Sequence, residues 1–125
     1  MIVTGLRHFT ISAPTELIDR CLSFYTSVLN LRLGFRPPLA TDGFWLYGGE
    51  QDLIHLEISE PGETFAGGCC HIALSCINLP AAIRRLEDLS IDYATEHLAE
   101  TDQFQIFVKD PCGHTVELNF PCERL

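Results

Sequence analysis

The stretch Leu6-Arg-His-Phe-Thr-Ile-Ser12 is matched 63 residues later by Cys69-Cys-His-Ile-Ala-Leu-Ser75, so that His8 lies over His71. In both stretches apolar and polar residues alternate around the histidine. Self-similarity at a fixed offset is typical of a repeated supersecondary unit. The chain is therefore expected to contain two copies of one unit.

A second pair of stretches supports the repeat. Leu53-Ile-His-Leu-Glu-Ile58 aligns with Thr115-Val-Glu-Leu-Asn-Phe120 at nearly the same offset, which places His55 over Glu117. Because both ends of the unit recur with the same internal spacing, we interpret the two copies as residues 6–58 and 69–120.

Each copy has the pattern of one strand, one helix and three further strands. Period-two alternation marks the strands, and apolar residues at helical spacing mark each helix. The predicted strands are 7–12, 32–36, 44–48 and 52–58, then 70–76, 91–96, 104–109 and 114–120. The predicted helices run from Pro14 to Leu29 and from Asn78 to Leu89, with residues 60–68 as a linker. The sequence thus predicts an α+β fold, a single domain over residues 1–125 made of two tandem βαβββ units that form a cupped mixed sheet.

Composition excludes several classes of function. The chain has 46% hydrophobic and 20% charged residues, which is typical of a globular domain. Eight basic against seventeen acidic residues give a net charge of −9, which repels nucleic acids and anionic membranes. No apolar stretch approaches the ~20 residues of a membrane span, and Met1 to Arg7 do not resemble a secretion signal. We expect a cytoplasmic protein whose six cysteines are reduced thiols.

Four polar residues stand at equivalent strand positions of the two copies. Alternation places His8, His55, His71 and Glu117 on the sheet face turned away from the helices. If the two halves form one curved sheet, these four side chains converge. Imidazole and carboxylate donors suit Zn, Ni, Co, Mn or Fe(II), so the pattern predicts a divalent metal site. The other two histidines, His97 and His114, adjoin turns and are expected at the surface.

Three further motifs connect the sequence to a known family. These are Leu22-Ser-Phe-Tyr25 with Val28-Leu-Asn-Leu-Arg-Leu-Gly-Phe35, Cys70-His-Ile-Ala-Leu-Ser75, and Phe107-Val-Lys-Asp-Pro-Cys-Gly-His-Thr-Val-Glu-Leu118. Together they resemble the vicinal oxygen chelate superfamily, which includes glyoxalase I, extradiol dioxygenases, fosfomycin-modifying enzymes and bleomycin resistance proteins. The resemblance implies paired βαβββ units around a divalent metal.

The resemblance also implies roles for the four polar residues. The family's ligands on the first and fourth strands of each unit match His8, His55, His71 and Glu117. Glyoxalase I resembles this pattern with a glutamate at the His55 position, whereas in the dioxygenases a histidine near this position is an acid–base group. Both roles, ligand and acid–base group, therefore stay open for His55, and Glu117 is the expected catalytic base.

The function implied by the resemblance is a metal-dependent lyase or isomerase of the glyoxalase type. Its substrate would be a small α-hydroxy- or α-ketocarbonyl compound whose adjacent oxygens chelate the metal. One alternative is an Fe(II) extradiol dioxygenase, although Phe107 stands where those enzymes have a tyrosine. The other is a metal-free protein that binds a small molecule, like the bleomycin resistance proteins. Open sheet edges and the family resemblance predict a homodimer.

Overall fold

The fold is described by a computed structural model over residues 1–2, 4–60 and 71–125. The chain divides into two compact units, Met1–Ala66 and Gly67–Leu125. Each unit contains one strand, one helix and three further strands, so the predicted α+β fold of two tandem βαβββ units is confirmed. The predicted linker lies mostly outside the described residues, as do Cys69 and Cys70.

The first unit is a four-stranded mixed sheet with one helix. Strand β1 pairs in parallel with β4, and the other pairs are antiparallel in the order β1-β4-β3-β2. The element bounds are β1 Phe9–Ala13, α1 Thr15–Ser23, β2 Arg32–Gly34, β3 Gly43–Gly48 and β4 Gln51–Ile58.

The second unit repeats this topology. Strand β5 pairs in parallel with β8, and the sheet order is β5-β8-β7-β6. The element bounds are β5 His71–Ser75, α2 Leu79–Asp88, β6 Ala94–Leu98, β7 Gln103–Lys109 and β8 Thr115–Pro121. Neither helix of the described residues has the length and apolarity needed to cross a membrane.

The first helix ends differently from the prediction. Instead of continuing as an α-helix to Leu29, the chain forms a π-helical turn over Phe24–Val28, in which the Leu29 amide donates to the Phe24 carbonyl. The hydroxyl of Thr26 donates to the Leu22 carbonyl at 2.6 Å. It thus competes for the carbonyl that an α-helix would pair with the Thr26 amide, which favours the wider turn.

Strand β6 begins three residues later than predicted because the residues before it form the C-terminal cap of α2. Ser90 has a positive φ of 55°, and the Ile91 amide donates back to the Leu86 carbonyl. These contacts satisfy carbonyls of the last helical turn, so residues 89–93 cap the helix instead of entering the sheet.

Alternation along the strands separates an apolar face from a polar face in each unit, as predicted. In the first unit Ile11, Ile54 and Leu56 are buried, while Thr10 and Ser12 are exposed. In the second unit the buried apolar residues of strands β5, β7 and β8 likewise stand at alternate positions: Ile72, Phe104, Ile106, Val108, Val116, Leu118 and Phe120. In each sheet the candidate functional residues therefore lie on the face opposite the apolar one.

Helix α2 is anchored at its first turn by two side chains. Asn78 accepts a hydrogen bond from the Ala81 amide, and the Glu123 carboxylate accepts from the amides of Asn78 and Leu79 at 2.7 and 2.6 Å. A carboxylate at this position satisfies unpaired amides and favours the helix dipole. The segment that follows β8 is thereby fastened to the start of α2.

Candidate metal-ligand residues

The second unit brings His71 and Glu117 together. Parallel pairing of β5 with β8 places Ala73 opposite Glu117 and His71 opposite Thr115, so both side chains lie on one face. The His71 Nε2 atom is 3.2 Å from the Glu117 Oε2 atom. Glu117 is buried, with 6% of its surface exposed, whereas the His71 side chain is 54% exposed. One buried and one accessible donor thus stand side by side.

The Glu117 carboxylate is oriented by two amides. Its Oε1 atom accepts hydrogen bonds from Gln105 Nε2 at 2.6 Å and from Asn119 Nδ2 at 3.0 Å. Asn119 is held in turn by the Gln103 side-chain oxygen at 3.0 Å. Since Oε1 is engaged in this way, Oε2 is the oxygen presented beside His71. Hydrogen bonds of this kind fix the orientation of metal-ligating carboxylates.

The separation of the two donor atoms fits metal coordination. Nitrogen and oxygen ligands lie ~2.1 Å from a first-row divalent ion, so neighbouring ligands at angles of roughly 90–110° are about 3.0–3.4 Å apart. The observed 3.2 Å falls within this interval. A mixed imidazole–carboxylate set is also the donor chemistry of Zn, Ni, Co, Mn and Fe(II).

The first unit brings His8 and His55 together as stacked rings. Their centroids are 3.8 Å apart at an angle of 18°, and the other face of His55 stacks on Trp45 at 3.9 Å and 6°. Trp45 is the cross-strand partner of His55 in β3. His55 is consequently buried, with 6% of its surface exposed, whereas His8, just before β1, is exposed.

This stacking restricts how His8 and His55 can share an ion. The lone pair of an imidazole nitrogen lies in the plane of its ring. The planes of two nearly parallel stacked rings, whose centroids are 3.8 Å apart, do not meet within bonding distance, ~2.1 Å, of both rings. Joint ligation requires one ring to turn. Because His55 is enclosed and His8 is exposed, His8 is the ring with room to do so.

Asp52 is a third polar member of this cluster that the sequence interpretation missed. Its Oδ2 atom is 2.6 Å from His55 Nε2, and its Oδ1 atom is 3.6 Å from an Arg7 guanidinium nitrogen. The hydrogen bond with His55 lowers the pKa of the Asp52 carboxyl, and the Arg7 charge acts in the same direction. Donor atoms of His8, Asp52 and His55 all lie within 4.8 Å of one another, close enough to be considered for one ion.

The position of Asp52 depends on an irregularity in β4. Trp45 pairs with His55 and Tyr47 pairs with Asp52, so one extra residue interrupts β4 between the two pairs. Cross-strand partners point to the same face, and the bulge therefore transfers Asp52 to the face of His55. Strict alternation predicts the opposite face. No sequence signal marks this bulge, whereas alternation alone does place Gln105 and Asn119 beside Glu117.

The surface position predicted for His114 is wrong. Its side chain is only 12% exposed, and its Nδ1 atom is 2.9 Å from Asp110 Oδ2. Asp110 Oδ1 also accepts from the amides of Cys112 and His114, at 2.9 and 2.8 Å. His114 thus stabilises the tight turn between β7 and β8. His97 is 36% exposed and lies 3.6 Å from Asp102, away from the His71 and Glu117 pair in the register of the sheet.

Trp45 adds an unusual donor beside His55. Among the residues that the structure describes, its indole Nε1 is buried without a hydrogen-bond partner. A buried unpaired donor is costly, typically ~1–3 kcal/mol, so it is commonly matched by a water molecule or a ligand. An acceptor oxygen on a bound molecule would satisfy this group.

Comparison with known proteins identifies the same architecture. The family model described as the Glyoxalase/Bleomycin resistance protein/Dioxygenase superfamily matches residues 5–118. A curated relative, Glyoxylase I 4 from Arabidopsis thaliana, is 27% identical in an alignment 124 positions long that covers 93% of this chain and 70% of the relative.

Solved structures share the fold at low sequence identity. A protein from Bacillus anthracis assigned to the glyoxalase family has a TM-score of 0.78 at 22% identity, covering 97% of this chain and 98% of that one. The fosfomycin resistance protein FosX from Listeria monocytogenes, determined with Mn(II) and 1S,2S-dihydroxypropylphosphonic acid, has a TM-score of 0.70 at 14% identity, covering 96% and 94%. At these identities the likeness shows the fold alone.

Proposed function

Because the chain belongs to the glyoxalase/bleomycin resistance protein/dioxygenase superfamily, we propose that it is a metal-dependent lyase or isomerase acting on a small α-hydroxy- or α-ketocarbonyl compound. The observation that carries the proposal is the pair of His71 and Glu117, whose donor atoms are 3.2 Å apart with the second carboxylate oxygen held by two amides. A fixed pair of donor atoms at this distance favours metal binding, whereas two solvated surface side chains would not be held in this way.

The proposed ligands are the two pairs, His8 with His55 and His71 with Glu117. They would hold one divalent ion per chain, with both pairs supplied by one chain or by two chains of a homodimer. The ion would act as a Lewis acid that stabilises negative charge on two adjacent substrate oxygens. Mn(II) in the related fosfomycin resistance protein supports an ion of this kind.

Proton transfer is the proposed task of Glu117. Moving a proton between neighbouring carbons needs a base within about 3 Å of the substrate. Glu117 is buried, and Gln105 and Asn119 hold its Oε1 atom, so the carboxylate has a fixed direction. A base whose direction is fixed before the substrate arrives avoids reorganisation during the reaction. The unpaired Trp45 Nε1 is a suitable donor to a substrate oxygen.

Metal analysis tests the first part of the proposal. Elemental analysis and calorimetry with Ni, Co, Zn, Mn and Fe(II) should find about one ion per chain. His71→Ala should weaken binding by orders of magnitude, because it removes a nitrogen ligand. His97→Ala is the matched control and should bind like the wild type. Absence of binding with all five metals would contradict the proposal and favour a metal-free small-molecule-binding protein.

Turnover tests the second part. Glu117→Gln keeps the size of the side chain and a weak oxygen ligand but removes the base. It should retain measurable metal and lose most activity on α-ketoaldehyde–thiol adducts, the first substrates to assay. Wild-type activity in Glu117→Gln with full metal occupancy would mean that another residue moves the proton.

An Fe(II) dioxygenase is the second candidate, and the environment of His55 favours it. His55 is stacked on both faces and hydrogen-bonded to Asp52, as expected of an acid–base group held beside a metal centre. In that case catechols with Fe(II) should consume oxygen, and His55→Ala should abolish the reaction while iron stays bound. Isomerisation without oxygen consumption would exclude it.

Assembly is a separate part of the proposal. The outer strands of each sheet leave hydrogen-bonding edges, and family resemblance predicts a homodimer. Light scattering at micromolar concentration should give twice the chain mass of 14.0 kDa. A strict monomer would contradict the proposed homodimer and restrict the metal site to ligands from one chain.

A further inference from the structure

We propose that Asp52 is a positioning residue that fixes His55 in one tautomer, with the proton on Nε2, so that Nδ1 is the only ring nitrogen with a lone pair for metal binding or proton transfer. The use of Nδ1 for metal or proton transfer rests on the proposed function. The tautomer itself does not, because it follows from contacts within the first unit.

The hydrogen bond between Asp52 and His55 determines which ring nitrogen holds the proton. Asp52 Oδ2 and His55 Nε2 are 2.6 Å apart, a short hydrogen bond between two buried residues. A carboxylate oxygen can only accept, so the hydrogen in this bond belongs to Nε2. The other Asp52 oxygen lies 3.6 Å from the Arg7 guanidinium, which favours the ionised carboxylate. A neutral imidazole with a proton on Nε2 has its lone pair on Nδ1.

Two aromatic neighbours keep the His55 ring in this orientation. Trp45 and His8 stack on the two faces of His55 at 3.9 and 3.8 Å. A half-turn of the ring about the Cβ–Cγ bond would put Cε1 where Nε2 lies and break the hydrogen bond to Asp52, and it would pass through the space that these neighbours occupy. The stack therefore opposes this rotation and keeps Nε2 beside Asp52, and the hydrogen bond to Asp52 keeps the proton on Nε2.

The bulge in β4 brings the Asp52 carboxylate to the side of His55. Asp52 faces His55 only because β4 is bulged between the pairs Trp45–His55 and Tyr47–Asp52. Bulges are frequent beside functional sites, where they redirect a side chain. Histidine ligands and bases commonly donate their second nitrogen to a carboxylate in this manner, which fixes the ring and raises its basicity.

The tautomer can be measured without metal or substrate. Long-range ¹H–¹⁵N correlation spectra of the metal-free protein, labelled at histidine and recorded at pH 8, distinguish a protonated nitrogen from one with a lone pair. His55→Gln identifies the resonances of His55 by their loss. We expect Nε2 protonated and Nδ1 unprotonated in the wild type. A proton on Nδ1, alone or together with Nε2, would overturn the proposal, and this measurement needs no variant of Asp52.

Variants test whether Asp52 is the cause. Asp52→Ala should release the preference and give averaged shifts for both nitrogens, whereas Glu50→Ala, which removes an equal charge from the neighbouring exposed turn, should retain the wild-type spectrum. An unchanged His55 spectrum in a folded Asp52→Ala protein would show that Asp52 does not set the tautomer.

A metal titration separates this inference from the proposed function. Followed by calorimetry with Ni(II) and by emission of Trp45, Asp52→Ala should bind roughly 10–100-fold more weakly than Glu50→Ala, the usual effect of losing a carboxylate behind a ligand. Equal affinities would refute the link between Asp52 and the metal. A wild type that binds no metal would refute the proposed function and leave the tautomer result standing.

Discussion

Replacing Gln105 by leucine should destabilise the protein because it removes the shortest hydrogen bond to Glu117. Gln105 Nε2 donates to Glu117 Oε1 at 2.6 Å, and both residues are buried. A hydrogen bond to a charged group contributes ~1.5–3 kcal/mol. Asn119 still donates to the same oxygen at 3.0 Å, so we expect a loss at or below the lower end of this range, about 1–2 kcal/mol.

Thermal unfolding provides the assay. With an unfolding entropy of ~2.1 cal/mol/K per residue, the expected loss lowers the Tm of this chain by about 4–8 °C. Gln103→Leu is the matched control, since Gln103 is on the same strand and face but contacts only Asn119 among these groups. It should cost less, ~0.5–1 kcal/mol, the usual contribution of a neutral hydrogen bond. A Tm of Gln105→Leu within about 1 °C of the wild type, or a larger loss of Tm in Gln103→Leu, would contradict this role of Gln105.

Three other changes test separate parts of the structure. Arg124 lowers the pKa of Asp102 through a hydrogen bond, and His97 contributes in the same direction. The stabilisation from this carboxylate is therefore present above the unfolded pKa of ~3.9 and is lost as pH falls through the lower folded pKa. Unfolding curves from pH 7 to 2 should show Asp102→Asn less stable than the wild type at pH 7 and equally stable at the acid end. Glu123→Ala leaves two amides at the start of α2 without their acceptor, and urea unfolding should show a loss of about 1–2 kcal/mol, whereas Glu100→Ala in an exposed turn should show none. His114→Ala should lower the Tm by several degrees because it breaks the contact with Asp110, whereas calorimetry should find the metal affinity unchanged. A loss of metal affinity equal to that of His71→Ala would mean that the proposed set of ligands is wrong.

The architecture could be predicted from the sequence because each unit repeats a clear pattern. Period-two alternation identified all eight strands to within a few residues, and the repeat showed that the first and fourth strands of each copy are equivalent. Pairing β5 with β8 is then sufficient to place His71 beside Glu117. The pair followed from backbone periodicity, which leaves side chains of equal parity on one face.

Features that depend on local departures from periodicity could not be predicted. The π-helical turn at Phe24–Val28 and the late start of β6 arise from individual hydrogen bonds at Thr26 and Ile91. The ring stack of Trp45, His55 and His8 requires the register of β3 against β4 and the path of the chain before β1. A sequence pattern specifies the face of a residue but not these contacts.

His114 shows a further limit of sequence reasoning. His114 adjoins a turn and does not fall at a ligand position of the repeat, and these two facts were the basis for the surface prediction. Here Asp110 collects two amides and one imidazole within five residues, which draws His114 inward. The turn motif indicated where the chain reverses but not which side chains hold it.

Because of the bulge in β4, an insertion or a deletion in these strands can move the Asp52 side chain to the other face of the sheet, which a substitution does not do. Inserting one residue into β3 between Leu46 and Tyr47 would give Leu53 a cross-strand partner, restore strict alternation and turn Asp52 to the face of Ile54 and Leu56, although every residue of the cluster would still be encoded. The presence of the Asp52 carboxylate beside His55 therefore depends on the number of residues in the paired strands as well as on the identity of residue 52. A lineage could gain or lose it through a single in-frame indel, and an alignment that closes such a gap by sequence similarity alone would pair Asp52 with residues from the wrong side of the sheet.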